Sequence, residues 1–374
     1  MNELYRTRIF EPCLELIRKD AILRNKTENI EDYMKSSKKK LLDEFNDGKI
    51  IVPRIVITTG SKCTLQCKDC VQLMPHYKKP FDIDIEEVLK DVRNFFEKID
   101  KCISVSIVGG EPFIYPWLDK LLMELIANDK LLYIELVTNG TRIPEEKVLK
   151  LCTNEKVAVN ISDYGDVILL SKFVAKLDEY GILSYCISDE KWIDVGSHLA
   201  RGRDDKELSA IYLSCGSGKM CKTLMKGKLF DCARAAYLYD LNYGPDIPYI
   251  DFNNEQLESK EIIEYFLKRN SKACDYCDFN ALEKKYIIPA QQVNGKYLKK
   301  SRYTVIARKD YASIIEAKEW WQAQYNNVEK QNAELKDWIK QLEEAKEYFL
   351  SQIANLEDRK STRLNSSHEW ISYA

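Results

Sequence analysis

Apolar residues recur at helical spacing through residues 1–50. A first set runs over Leu14–Leu23 and a second over Tyr33–Phe45. Asn46-Asp47-Gly48 follows the second set, and a glycine directly after such a run is a common helix end. The pattern predicts a helical N-terminal segment over residues 1–50.

From residue 51 to residue 204, short apolar runs alternate with longer amphipathic stretches. The runs predict five strands, over Arg54–Thr59, Ser104–Val108, Tyr133–Thr138, Val157–Ile161 and Leu183–Ile187. The stretches between them predict four helices, over Ile83–Ile99, Trp117–Ala127, Pro144–Cys152 and Val167–Tyr180. Repeated strand–helix units indicate an α/β fold with a parallel sheet and right-handed crossovers.

Composition narrows the class of protein. The chain has 374 residues and a net charge of −2, so its charge gives no general attraction to nucleic acid or anionic membrane. No apolar run approaches the roughly 20 residues of a membrane span, and the start, Met1–Arg6, does not have the pattern of a signal peptide. Twelve cysteines in such a chain favour metal or redox chemistry over disulfides, and we expect a cytoplasmic protein.

Three cysteines follow the first predicted strand. Cys63, Cys67 and Cys70 have the spacing C-x3-C-x2-C. Three thiolates on one short loop can hold three irons of a four-iron cluster and leave the fourth iron open, whereas most such clusters use four cysteines. A zinc site and buried thiols without a ligand are the alternatives that this spacing leaves open.

A second motif ends the next predicted strand, at Gly109-Gly110-Glu111-Pro112. Glycines allow close approach of the backbone to a ligand, and a carboxylate suits an ammonium group. Alone, the motif is equally typical of an ordinary strand-to-helix turn. The three cysteines followed by this motif resemble the radical S-adenosylmethionine (SAM) superfamily.

The resemblance implies a partial (β/α)6 barrel with its chemistry at the C-terminal strand ends. It implies a [4Fe-4S] cluster on the three cysteines, with SAM on the open iron and the methionine end of SAM on Gly109, Gly110 and Glu111. Asn139 and Ser162, at later strand ends, are candidates for SAM ribose or carboxylate contacts. Asp69 departs from the family, which usually has an aromatic residue before the third cysteine.

Four cysteines beyond residue 205 form a second candidate site: Cys215, Cys232, Cys274 and Cys277. Eleven residues separate Cys215 from Gly227 and four separate Gly227 from Cys232, and the glycine permits a tight hairpin that brings the flanking cysteines together. This spacing resembles the opening of the auxiliary iron–sulfur domain called SPASM. Because Cys277 is the last cysteine, the resemblance is to the shorter twitch form with one auxiliary [4Fe-4S] cluster.

Alternatives remain for this second site. Cys221 can replace Cys215 as the first ligand, although only five residues separate it from Gly227. A structural zinc site and a C-x2-C redox pair are also compatible with the spacing. We expect Cys13, Cys102, Cys152 and Cys186 to be buried thiols with no role in chemistry.

A heptad pattern marks the C-terminal part. Apolar residues recur every seven residues from Trp321 to Leu356, and Asn332 and Lys346 are polar positions of the same seam. The pattern predicts a coiled coil that makes a homodimer or docks a partner, with an amphipathic helix folded onto the barrel as the alternative. Residues 359–374 resemble translated sequencing-adapter sequence, and we expect a non-native disordered tail there.

The predicted domains are a helical segment (1–50), a radical SAM core (51–204), an auxiliary cluster domain (205–290), a linker (291–312) and a coiled coil (313–358). The predicted function is hydrogen abstraction from a substrate C–H bond after cleavage of SAM, with dehydrogenation of a sugar or cyclitol as the favoured outcome. Peptide modification and a non-catalytic metal-binding scaffold are the alternatives. The expected partners are a small-molecule or peptide substrate and an electron donor such as flavodoxin or ferredoxin. The catalytic acid or radical donor is not assigned.

Overall fold

The computed structural model describes residues 3–24, 29–164, 170–187, 191–279 and 284–294. The chain divides into two compact units, residues 1–309 and residues 310–374. The second unit lies outside the described residues, as does most of the predicted linker. The predicted coiled coil and the predicted tail therefore stay predictions.

The N-terminal segment is helical, as its pattern predicts. Helix α1 (Glu3–Tyr5) continues through a π-helical turn (Arg6–Phe10) into α2 (Glu11–Leu23), and α3 (Ile30–Asn46) follows. Cys13 and Leu16 of α2 are buried in the core. These apolar contacts attach the segment to the rest of the first unit.

Five parallel strands follow in chain order. They are β1 (Ile51–Thr58), β2 (Lys101–Val108), β3 (Leu131–Thr138), β4 (Val157–Ser162) and β5 (Ser184–Ile187). All five predicted strands are confirmed, with shifts of a few residues at their ends, and each pairs in parallel with its neighbour in the chain.

Four helices connect these strands and cover one face of the sheet: α4 (Ile85–Glu97), α5 (Leu118–Ile126), α6 (Glu146–Cys152) and α7 (Leu170–Glu179). Asp84 begins α4 by accepting a hydrogen bond from the Glu86 amide at 2.9 Å. Val88, Val92 and Phe95 recur on the buried face of α4. The predicted helices are thus confirmed within a few residues.

Short elements complete the first unit. In chain order they are β6 (Trp192–Ile193), α8 (Asp205–Ser214), α9 (Gly216–Met220), β7 (Lys222–Met225), β8 (Lys228–Phe230), α10 (Ala233–Asp240), β9 (Ile250–Asp251), α11 (Ser259–Leu267) and β10 (Tyr286–Ile287). Strand β7 pairs in parallel with β1, and β8 and β9 add to it antiparallel, so the main sheet has the order β5-β4-β3-β2-β1-β7-β8-β9. Strands β6 and β10 form a separate antiparallel pair.

The hairpin predicted at Gly227 is confirmed. Lys226 (φ 49°) and Gly227 (φ 73°) form the turn between β7 and β8, and two left-handed residues are typical of a tight hairpin turn. The left-handed φ of Gly227 favours glycine at this position. The hairpin places Cys232 two residues after β8 and directly before α10.

The sheet has one apolar and one polar face. Ile55, Val105 and Ile134 lie side by side in register and are buried. On the other face Glu135 accepts hydrogen bonds from Ser106 Oγ at 3.0 Å and from Lys19 Nζ of α2 at 2.7 Å. Helix α2 therefore covers the polar face through a buried ionic contact.

Three of the four cysteines that we expected to be buried are buried in the fold. Cys13, Cys102 and Cys152 are buried as expected, but Cys186 is exposed, because β5 is the edge strand of the sheet. In the described ranges, no helix combines the length and the apolar character needed to cross a membrane.

Candidate active site and second cysteine group

The cysteine loop, residues 63–70, lies at the carboxyl end of β1. Thr59 fixes its entry, because the Thr59 amide donates to the Val108 carbonyl (2.9 Å) and its hydroxyl donates to the Gly109 carbonyl (3.0 Å). The loop and the Gly-Gly-Glu turn after β2 therefore meet at one edge of the sheet, where parallel folds usually place their ligands.

The three thiols are close enough to influence one another. Burial raises the pKa of Cys63 to about 12, and Glu111 and the other two thiols add to the rise. Burial likewise raises the pKa of Cys67 to about 11, and it raises the pKa of Cys70. Thiols of this kind are neutral at physiological pH and become thiolates when a metal binds.

Neutral amides point at these sulfur atoms. The Leu65 amide lies 3.4 Å from Cys63 Sγ, and Asn139 Nδ2 lies 3.7 Å from the same atom. Gln292 Nε2 lies 3.4 Å from Cys67 Sγ. Such donors stabilise negative charge on sulfur without adding a charge of their own.

A segment far along the chain crosses the cysteine loop. Residues 291–293 run antiparallel to residues 66–68: the Lys68 amide donates to the Gln291 carbonyl (2.7 Å) and the Val293 amide to the Gln66 carbonyl (2.8 Å). Gln292 Oε1 accepts from the Gln66 amide at 2.7 Å. Sequence reasoning missed this contact, because Gln291-Gln292-Val293 has no spacing or residue type that signals a partner.

The two glycines of the Gly-Gly-Glu turn allow the cysteine loop to pack. Gly109 and Gly110 have φ values of 111° and 57°. A Cβ on Gly110 would lie 1.7 Å from the Lys62 carbonyl oxygen, and the Glu111 amide donates to that same oxygen at 3.1 Å. The turn therefore holds the residue just before Cys63 in place.

The carboxylate of Glu111 is fully buried and is used within the protein. It accepts hydrogen bonds from the Phe113 amide (3.2 Å), the Thr138 hydroxyl (2.7 Å) and the Asn139 amide (2.9 Å). Burial raises its pKa to about 7, against the effect of these donors. Glu111 thus joins the ends of β2 and β3 through its side chain, while its backbone amide bonds to the Lys62 carbonyl just before the cysteine loop.

The remaining SAM-contact candidates behave differently. Asn139 lies in the site, where its Nδ2 donates to Thr64 Oγ1 at 3.1 Å as well as facing Cys63. Ser162 ends β4 and is half-buried, and among the described residues no hydrogen bond joins its side chain to the cysteine loop. Of these two candidates, the fold places only Asn139 beside the cysteine loop.

The second cysteine group, Cys215, Cys232, Cys274 and Cys277, comes from three separate segments. Cys215 ends α8, Cys232 begins α10, and Cys274 and Cys277 lie in and directly after a short 3-10 helix (Lys272–Tyr276). Burial raises the pKa of Cys232 to about 12, and the charges of Cys215 and Cys277 add to it. Burial also raises the pKa of Cys274, with Cys232, Cys277 and Cys215 as further causes. The four predicted thiols are therefore electrostatic neighbours in the fold.

Cys221 has different surroundings. Burial raises its pKa, and its charged neighbours are Arg54, Glu135 and Lys19 of the polar sheet face, with Cys215 as the one member of the second cysteine group among them.

Within the described residues, no set of three or more His, Cys, Asp or Glu side chains has the arrangement that holds a single metal ion.

Arg234 is an electrostatic neighbour of both cysteine sites. Its buried guanidinium donates to the carbonyls of Tyr276 (3.0 Å), Gly196 (2.9 Å) and Ser197 (2.8 Å). Burial lowers its pKa, and Cys277 and Cys232 oppose that fall. The same guanidinium acts on Cys70 of the cysteine loop, where it opposes the rise in the thiol pKa.

The fold and this edge of the sheet define an α/β protein with a three-cysteine candidate metal centre. Residues 57–163 match the family model described as the Radical SAM superfamily. The predicted resemblance to this superfamily is therefore confirmed over these residues, and the resemblance of the second cysteine group to an auxiliary domain stays a prediction. The matched residues contain the cysteine loop, the Gly-Gly-Glu turn and Asn139, and end before the second cysteine group.

Solved structures of low similarity were also found. BtrN in complex with AdoMet and 2-DOIA is 13% identical over 60% of this chain and 92% of that one, with a TM-score of 0.41. AnSMEcpe with bound AdoMet and a Cp18Cys peptide is 22% identical (37% and 44% covered, TM-score 0.31). Streptococcus suis SuiB bound to S-adenosylmethionine is 16% identical (42% and 38% covered, TM-score 0.30). The chain thus spans less than half the length of the latter two proteins, and no curated protein matches it.

Proposed function

We propose that this protein is an enzyme that cleaves SAM reductively and starts a radical reaction on its substrate. The observation that carries the proposal is the cysteine loop packed by Gly110 against the Gly-Gly-Glu turn inside the radical SAM domain. When bound, a [4Fe-4S] cluster supplies the electron that cleaves SAM to a 5'-deoxyadenosyl radical, which abstracts hydrogen from a substrate C–H bond.

The residues around the cysteine loop fit such a cluster. Cys63, Cys67 and Cys70 are its proposed ligands, and an all-thiolate set is the donor set that iron–sulfur clusters use. The amides of Asn139 and Gln292 support negative charge on the sulfur atoms. We propose that Gly109, Gly110 and Glu111 contact the methionine end of SAM, in a turn that Thr138 and Asn139 hold through the Glu111 carboxylate.

We further propose that the second cysteine group holds an auxiliary [4Fe-4S] cluster. Beyond burial, Cys215, Cys232 and Cys277 all affect the pKa of Cys274, whereas the pKa of Cys221 is affected mainly by charged residues of the polar sheet face. This difference supports Cys215 rather than Cys221 as the fourth ligand. Four thiolates leave no iron open for substrate. When bound there, such a cluster supplies an acceptor for the electron that a dehydrogenation releases.

The proposed substrate is a sugar or cyclitol alcohol. Two features support it over a peptide: the proposed set of four thiolate ligands, and the N-terminal helices, which pack on the sheet through Lys19 and Glu135. A panel of cyclitols, sugars and peptides, assayed for 5'-deoxyadenosine released above the uncoupled rate, tests this choice. We propose a flavodoxin or ferredoxin as the electron donor and a cytoplasmic location for the reaction.

The deciding experiment measures iron, sulfide and 5'-deoxyadenosine after anaerobic reconstitution and reduction. We expect about eight irons per chain in the wild type and about four in the Cys63/Cys67/Cys70→Ala variant, with 5'-deoxyadenosine formed by the wild type alone. Cys186→Ala, which changes an exposed cysteine, is the control and keeps both properties. A wild type that binds no iron would overturn the enzyme and leave the non-catalytic scaffold, and iron replaced by zinc in the triple variant would remove the auxiliary cluster.

A further inference from the structure

Arg8 is a buried cation without a hydrogen-bond partner at its tip. It lies in the π-helical turn between α1 and α2 and is 3% exposed. Both Nη1 and Nη2 are buried, and neither has a hydrogen-bond partner among the described residues. The guanidinium carbon lies 4.9 Å from the centre of the Tyr212 ring, which offers an aromatic face but no counter-charge.

The surroundings of Arg8 contain more positive than negative charge. Asp231 forms ion pairs with Lys222 (3.0 Å) and Lys268 (2.6 Å), and both members of the Lys222–Asp231 pair are buried. Tyr212 and Ser271 donate their hydroxyls to the same carboxylate. With its oxygens occupied, Asp231 has no place left for Arg8, and three cations face one carboxylate in this part of the described structure.

A buried charge without compensation is expensive, so this excess of positive charge indicates an anion that the protein chain does not itself provide. The residues that surround this excess of positive charge are neighbours of the second cysteine group. Cys232 directly follows Asp231, and Cys215 lies three residues after Tyr212. The Cys274 amide donates to the Ser271 carbonyl at 3.0 Å.

The electrostatics of Arg8 agree with this placement. Burial lowers the pKa of its guanidinium, and Tyr212, Asp231 and Cys215 oppose that fall. A four-iron cluster with four thiolate ligands is an anion, and its reduction potential depends on the net charge and hydrogen bonds around it. A nearby fixed cation favours the reduced, more negative form.

We propose that Arg8 is a positioning residue of the auxiliary cluster, where its guanidinium compensates the cluster's negative charge and raises its reduction potential. This inference rests on the proposed auxiliary cluster. It makes the N-terminal helix part of the electron-acceptor site, although more than 200 residues separate Arg8 from Cys215.

The test is a redox titration of the auxiliary cluster, followed by electron paramagnetic resonance. The Cys63/Cys67/Cys70→Ala background isolates this cluster in the full-length chain. We expect Arg8→Gln to lower the equilibrium constant for reduction at least tenfold, which is about 59 mV for a one-electron couple. Arg8→Lys keeps the charge and should retain most of the wild-type potential. Arg6→Gln, on the exposed side of the same turn, should leave the potential unchanged.

The outcomes separate the two claims. An auxiliary cluster with the same potential in Arg8→Gln as in the parent overturns the role of Arg8 and leaves the cluster in place. A parent that holds no iron overturns the auxiliary cluster and, with it, the role of Arg8. Both results are read from the same samples.

A second measurement covers the case in which Arg8→Gln loads poorly. Without metal, the unpaired cation only destabilises the fold, so the thermal unfolding temperature of the metal-free Arg8→Gln protein should exceed that of its parent. After reconstitution the order should reverse. An equal fall in both forms would show that Arg8 acts through packing alone, and would overturn the inference.

Discussion

The two cysteine sites are built in opposite ways. The cysteine loop supplies its three thiols from residues 63–70 of one segment, and neutral amides of Asn139 and Gln292 surround them. The second cysteine group takes its thiols from three segments, and it lies beside the cations Arg8 and Lys222. One site is local and has neutral amides at its sulfur atoms, and the other exists only in the folded chain and lies beside surplus positive charge.

This difference has a consequence for electron transfer. Net charge and hydrogen bonds set the potential of an iron–sulfur cluster. Neutral donors and the nearby carboxyl of Glu111 favour a low potential at the cysteine loop, as a donor to SAM requires. Surplus positive charge favours a higher potential at the second group. The contrast supports the proposed direction, from substrate toward the second cysteine group.

The largest effect is expected from Asp231→Asn. This change removes the carboxylate that pairs with Lys222 and Lys268, and an uncompensated buried charge costs about 3–5 kcal/mol. Chemical denaturation of the metal-free protein measures the loss. Glu124→Gln, which breaks the surface pair with Arg93, is the control and should cost at most about 1 kcal/mol. Equal losses in the two variants would contradict the picture of a cationic second site.

Glu111 should make the stability of the metal-free protein depend on pH, with lower stability at higher pH. Its pKa is about 7 in the folded protein, above the 4.5 of an unperturbed glutamate, so the folded state binds the extra proton. Stability from this group is therefore present below about pH 4.5 and is lost as the pH rises through 7, by roughly 3 kcal/mol in total. Denaturation at several pH values should show the slope in the wild type and not in Glu111→Gln. A variant with an unchanged slope would assign it to another group.

The local site was largely predictable from sequence, because its signals are local. Strands with apolar runs and a cysteine loop directly after β1 are short-range features, and parallel strands bring their carboxyl ends together. The second cysteine group was found through spacing around Gly227, which fixes a hairpin. The spacing could not decide whether Cys215 or Cys221 belongs to the group, because that depends on how three segments pack.

The contacts that sequence missed are long-range and made by common residue types. Gln292 reaches Cys67 across more than 200 residues, and Arg8 reaches the surroundings of Asp231 over a similar separation. Neither residue belongs to a motif. Cys186 was wrongly expected to be buried, because a sequence pattern identifies a strand but not its place at the edge of a sheet.

Gly110→Ala should disturb the cysteine loop alone. The left-handed backbone costs about 1–2 kcal/mol for alanine, and the added Cβ would lie 1.7 Å from the Lys62 carbonyl oxygen. We expect most of the iron of the first cluster to be lost while the iron of the second remains, as measured by iron content and electron paramagnetic resonance.

Gly181→Ala is the matched control for this change. Gly181 has a similar φ of 63°, but nothing lies within 4 Å of its added Cβ. It should lose a similar amount of stability from the backbone and keep both clusters. Equal iron loss in the two variants would show that backbone strain, rather than contact with Lys62, is responsible.

The smallest expected effect belongs to Gln292. Gln292→Leu removes one amide donor from Cys67 Sγ, and a single hydrogen bond contributes about 1 kcal/mol, or roughly fivefold in an equilibrium constant. The reduction equilibrium of the first cluster should fall by that factor, and Gln292→Glu, which adds negative charge, should lower it further. Val293→Ala is the control, because its exposed side chain leaves the main-chain bond to Gln66 intact. If Val293→Ala shifts the potential as much as Gln292→Leu, the crossing segment acts through its backbone, and the neutral-amide character of the first site rests on other donors, such as Asn139 and Leu65.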